Sequence, residues 1–216
     1  MAGCCDAAEC RSKPTPRYRR ALGIALALNV ALCLVDVLAG MRAGSVSLLA
    51  DAVDFFGDSA NYALSLAAFS LAASWRCRAA LLKGFTMGAY GGFILGRVGW
   101  GIFQQGVPEA HVMGIVGLIA LLANITVAGL LYAFREGDAD MRSAWLCSRN
   151  DAIGNIAVML AALDVFGTGT AWPDLAVAAL MGSMALLSAR KVIQHARHEL
   201  RALTTSTHTA RFGSTA

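Results

Sequence analysis

The chain has 216 residues, 57% of them apolar and 15% charged, with a mean hydropathy of +0.58 and a formal net charge of +4. Soluble domains are roughly 45–50% apolar and about 25% charged, so the composition excludes an ordinary soluble domain and points to the bilayer. The basic residues gather on no single amphipathic face, which argues against a nucleic-acid partner, and the six cysteines are spaced too irregularly for a disulfide framework.

Taken in order, residues 1–20 read as a cytoplasmic tail holding Cys4, Cys5 and Cys10, with Asp6 and Glu9 among them. Two readings stand for these thiols: a soft-metal clamp at the cytoplasmic entrance, or an incidental run in an unfolded tail. A bilayer core needs about 20 apolar residues per helix. On that criterion residues 21–196 hold six spans: 21–41, 47–73, 79–104, 111–134, 141–167 and 172–192. The expected fold is therefore all-α, a six-helix transmembrane bundle.

The first span carries Asn29 and Asp36, the second Asp51, Asp54 and Asp58. The third repeats Gly84, Gly88, Gly92 and Gly96 every four residues, a spacing that lets helices approach closely, with Ala178 and Gly182 of the sixth span as the expected partner surface. The fifth holds Cys147, Arg149, Asp151 and Asp164. Residues 197–216 read as a short cytoplasmic tail, and "TTSTHTARFGSTA" has too little apolar content to fold alone.

Orientation follows from Lys and Arg. Arg11, Lys13, Arg17, Arg19 and Arg20, then Arg76, Arg78 and Lys83, then Arg135 and Arg142, then Arg190, Lys191, Arg197, Arg201 and Arg211 all fall on one side, and the opposite loops hold Arg42. The positive-inside rule places both termini in the cytoplasm.

An Asp at a helix centre costs roughly 2.5–3.5 kcal/mol on insertion scales. A bound cation, titratable protons or a water-filled cavity would offset so many intramembrane acids. Residues three and four apart share a helix face, so Asp51, Asp54 and Asp58 form one acidic stripe, while Cys147 and Asp151 pair in the same way. Two antiparallel helices, each offering an i,i+4 pair, supply three carboxylates and a thiolate. Four mixed oxygen and sulfur donors suit Zn²⁺ and Cd²⁺, with Co²⁺ also accommodated, better than Mg²⁺ or Ca²⁺. Asp36, Asp51 and Asn29 have two readings, a proton relay toward the outer mouth or a contact between helices. Arg149 either snorkels toward the cytoplasm or neutralises an acid.

The run from Asn29 through Asp36, Gly40, Gly44 and Ser45 into "SVSLLADAVDFFGD" resembles the first two membrane helices of the cation diffusion facilitator family. The runs "CSRNDAIGNIAVMLAAL" and "PDLAVAALMGSMALLSA" resemble that family's fifth and sixth. The resemblance implies a proton-coupled efflux transporter of divalent metals, working as a homodimer in the inner (plasma) membrane of a bacterium. It places the transport site at Asp54, Asp58, Cys147 and Asp151. Cys147 departs from the His or Asp usual in the family, and the resemblance is to a short form without the usual ferredoxin-like C-terminal domain. No Walker loop and no Ser/His/Asp arrangement suggests catalysis, so no enzyme and no cofactor is expected. The competing reading is a non-transporting metal sensor or a regulatory partner subunit of another metal transporter.

Overall fold

The computed structural model describes residues 16–67, 73–104, 106–134 and 139–212. Among these residues every regular element is an α-helix: α1 (Pro16–Ala43), α2 (Val46–Ala67), α3 (Ala73–Gln104), α4 (Ala110–Tyr132), α5 (Ala139–Thr168) and α6 (Trp172–Phe212). Pro16 suits a first helical position, where its missing N–H costs nothing. α1 stops at Gly44, whose φ of 68° is the left-handed conformation of a helix C-cap, and Ser45 N–H closes the turn on Gly40 C=O at 3.0 Å. Gly169, at φ 62°, ends α5 in the same manner, with its N–H on Val165 C=O at 2.8 Å.

Among the described residues four helices are long and apolar enough, by length and composition, to cross a membrane: α1, α4, α5 over Ala144–Thr168, and α6 over Trp172–His198. α2 and α3, expected as spans, are not among them. α2 carries three acids in 22 residues, and α3 carries Arg76, Arg78, Lys83 and Arg97. Residues 197–212 of the expected short tail continue α6 as helix and do not form a separate unit.

Successive helices alternate in direction, so α1, α3 and α5 end where α2, α4 and α6 begin. At that distal end a large apolar core gathers Val46, Leu49 and Val53 of α2 with Ile94 of α3, Met113 of α4, Val158 and Val165 of α5, and Leu175 of α6. At the opposite, terminal end a second core joins Tyr18 and Leu22 of α1, Tyr62 of α2, Leu131 of α4 and Ala144 of α5. The helices pack mainly in three pairs, α1 with α2, α4 with α5, and α3 with α6.

The last pair depends on glycine. A Cβ on Gly84 would lie 2.7 Å from Ile193, and on Gly91 3.3 Å from the backbone oxygen of Gly182. Gly84 and Gly88 thus meet α6 as the four-residue spacing suggests, but the contact continues through Gly91, while Gly92 and Gly96 face open space. The 3.6-residue period explains the drift: a strict four-residue ridge rotates off any single partner.

Candidate metal site

Between the two apolar cores lies a polar layer. On α2, Val53 belongs to the distal core and Tyr62 to the terminal one, with Asp54 and Asp58 between them. On α5, Val158 and Ala144 bracket Asp151 and Asn155 in the same way. Asp58 is buried, while Asp54 and Asp151 are half-buried. The Asp58 and Asp151 carboxyl groups come within hydrogen-bonding reach of each other, and Asp54 is close enough for its charge to act on Asp151. The three acids named from spacing therefore face one another across α2 and α5. Cys147 sits on α5 one turn before Asp151, but its side chain lies outside the described residues. Among the described residues, no three His, Cys, Asp or Glu side chains form a ready-made cage for a metal ion. The arrangement is an acid pair with a third acid one turn away.

Neighbours that were not singled out from the sequence complete this layer. Tyr62 O–H donates to Asp58 Oδ2 at 3.2 Å and lies 2.7 Å from Ser148 Oγ, which is also within 3.4 Å of Ala144 C=O. Asn155 Nδ2 donates to the Asp151 backbone C=O at 3.1 Å. Lys83, counted from the sequence among loop cations, instead lies about three turns inside α3. It is only 6% exposed, and its Nζ donates to Asn61 Oδ1. Tyr62 and Ser148 were legible in principle, being four residues after Asp58 and three before Asp151 on the same faces.

Toward the distal end, Asp36 is completely buried and neither carboxyl oxygen has a protein hydrogen-bond partner; Asp51 is 2% exposed with Oδ2 likewise unpartnered. The two acids are close enough to act on each other electrostatically. Asn29 does not bridge them: its amide donates to Ala25 C=O of its own helix at 2.8 Å.

Another buried acid, Asp174 in the first turn of α6, was missed from sequence. Its Oδ1 accepts from Ser45 Oγ at 2.7 Å, Ser47 Oγ at 2.6 Å and Ser47 N–H at 3.1 Å, and its Oδ2 accepts from Val46 N–H at 2.8 Å. It thereby satisfies the first amides of α2 with a carboxylate from another helix, where an anion also suits the helix dipole.

Arg149 is exposed, stacked 5.2 Å over the Trp145 ring, and donates to Asn150 at 3.5 Å. Its side chain thus lies on the bundle surface. Asp164, His195 and His198 are exposed. Cys4, Cys5 and Cys10 lie outside the described residues.

Residues 22–201 match the family model described as the cation efflux transmembrane domain. Among curated proteins, the chain is 27% identical over 180 residues to the metal cation efflux system protein CzcD of Cupriavidus metallidurans, covering 76% of this chain and 55% of that protein. It is 28% identical over 192 residues to the zinc transporter ZitB of Yersinia pestis, covering 82% of this chain and 61% of the relative. A cadmium, cobalt and zinc/H⁺–K⁺ antiporter of Bacillus velezensis is 24% identical over 199 residues, covering 84% and 63% respectively. The chain thus spans a little over half the length of these relatives.

Proposed function

Because the chain belongs to the cation efflux family, we propose that it moves divalent metal, Zn²⁺ or Cd²⁺ and also Co²⁺, out of the cytoplasm in exchange for protons. It works as a secondary transporter and not as an enzyme. In this reading all six helices span the inner membrane of a bacterium, with both termini cytoplasmic. α2 crosses because its acids face the bundle interior, and α3 because Lys83 is buried there while Arg97, about two turns from the distal end, reaches out toward water. The observation that carries the proposal is the convergence of Asp58 and Asp151 in a polar layer between two apolar cores. The names of the relatives support the substrate class: metal cation efflux, zinc transport, and cadmium, cobalt and zinc antiport.

The metal draws Asp54 and Cys147 toward Asp58 and Asp151 to complete four ligands. These ligands must be deprotonated to bind, so loading releases protons. On the far side, protons compete for the carboxylates and displace the metal. Lowering the pH on that side therefore accelerates release, and raising it stalls turnover. Asp36 and Asp51 lie between the site and the distal mouth, and they serve as the relay for those protons. Cys4, Cys5 and Cys10 collect metal at the cytoplasmic entrance. The protein works as a homodimer through its membrane helices, and Gly92 and Gly96 leave an open small-residue surface on α3 suited to that contact.

The test is Zn²⁺ uptake into proteoliposomes under a pH gradient. Asp58→Ala and Asp151→Ala are each expected to lower the rate at least about a hundredfold, a loss of roughly 2.7 kcal/mol or more. Wild-type rates in both would overturn the site.

A further inference from the structure

Lys83 is the unusual cation of this molecule. It is 6% exposed inside α3, and its ammonium both donates to Asn61 Oδ1 and acts electrostatically on the Asp58 carboxylate. Asn61 lies three residues after Asp58, so amide and acid share one face of α2. A buried ammonium is costly to desolvate unless an anion and further acceptors compensate it, and an ammonium has three donors to place. Asp58 and Asn61 supply such a setting. The acid layer gains as well, because Asp54, Asp58 and Asp151 stand close together with Lys83 as a cation at their edge.

We propose that Lys83 is the resident counter-cation of the metal site: its ammonium sits in the field of Asp58 while no metal is bound, and yields to an incoming divalent cation. This rests on the transport site proposed above. A tethered charge of this kind does two things at once. It weakens metal binding, because the metal must displace or outbid an existing positive charge. It also spares the empty carrier from crossing the membrane with an uncompensated cluster of carboxylates, which speeds the return step. Asn61 matters because it holds the ammonium at the edge of the acid layer, near Asp58 but bonded to an amide, so that an incoming metal need not break a direct Lys83–Asp58 bond.

Opposite signs are expected from two substitutions. In Lys83→Gln the charge is gone but a donor for Asn61 remains, so Zn²⁺ should bind about tenfold more tightly, while maximal transport falls several-fold as release and return slow. KM and the maximal rate then drop together. In Asn61→Leu the ammonium loses the amide that holds it and shifts toward the Asp58 carboxylate, so Zn²⁺ should bind several-fold more weakly. Lys83→Arg keeps the charge and should remain within about threefold of the parent affinity.

The measurement is titration of the full chain in lipid nanodiscs with Zn²⁺ against a chromophoric chelator, in a background with Cys4, Cys5 and Cys10 changed to Ser, paired with proteoliposome rates. Should Lys83→Gln not accumulate in membranes, Asn61→Leu alone decides the sign. Unchanged or weaker Zn²⁺ binding in Lys83→Gln, or unchanged or tighter binding in Asn61→Leu, would refute the counter-cation role. Asp58→Asn separates this from the site itself. If Asp58→Asn retains parent Zn²⁺ affinity, the site assignment falls; if it loses Zn²⁺ while Lys83→Gln gains nothing, only the role of Lys83 falls.

Discussion

The start and the middle of α2 are held in opposite ways. At its first turn, the Asp174 carboxylate accepts four hydrogen bonds from two serine hydroxyls and two backbone amides, all in one short segment. Three turns on, Asp58 is surrounded by Tyr62, Asp151 and Lys83, groups that themselves engage Ser148 and Asn61. In the first arrangement every donor lies within residues 45–47, and among the described residues the two hydroxyls have, besides Asp174 and each other, only Leu48 N–H as a partner. The second has several partners that can trade places. An acid buried for structure is saturated by donors from one local segment, whereas an acid buried for function sits among groups drawn from several helices, with partners elsewhere. On this basis α2 is clamped at its distal end and adjustable at its site.

The largest test of that contrast is Asp174→Ala. It leaves two hydroxyls and two amides of a buried helix start without their acceptor, and should cost about 3–5 kcal/mol in unfolding free energy. The readout is thermal or denaturant unfolding in detergent, with Zn²⁺ affinity of the folded fraction unchanged. A large affinity loss without a stability loss would move Asp174 from the clamp to the site. Ser47→Ala removes one charge-assisted bond of the four and should cost about 2 kcal/mol in the same assay. Tyr62→Phe comes last in stability, at about 1 kcal/mol or less. Its effect should appear instead in Zn²⁺ affinity, weakened about tenfold, because the lost hydroxyl orients a ligand. If Tyr62→Phe destabilises more than Ser47→Ala and leaves affinity alone, the contrast between the start and the middle of α2 collapses.

Much of this was legible in the sequence for simple reasons. Apolar runs of about 20 residues mark helices, glycines at 44 and 169 mark their ends, and three- and four-residue spacing puts Asp54 and Asp58 on one face. Asp151 faces them as antiparallel geometry requires. What escaped was set by contacts distant in sequence. Asp174 looks like an ordinary N-terminal helix acid, and its partners at Val46 and Ser47 lie 128 and 127 residues away. Lys83 follows Arg76 and Arg78 and was counted with them, because charge tallies do not register which cation turns inward. The helical extension of α6 to Phe212 runs through "TTSTHT", where β-branched and small polar residues give weak local preference.

The pairing of α3 with α6 has a consequence in time. α1 meets α2 and α4 meets α5 as neighbours in the chain, but α3 packs most extensively on a helix that begins at Trp172. At synthesis rates of about 5–20 residues per second, α6 starts to appear roughly 3–14 s after α3 is complete. Through that interval Gly84, Gly88 and Gly91 offer a bare backbone groove to the nascent membrane environment. Two hairpins are able to assemble while the ribosome is still working, whereas the most extensive packing surface of α3 stays uncovered until α6 arrives.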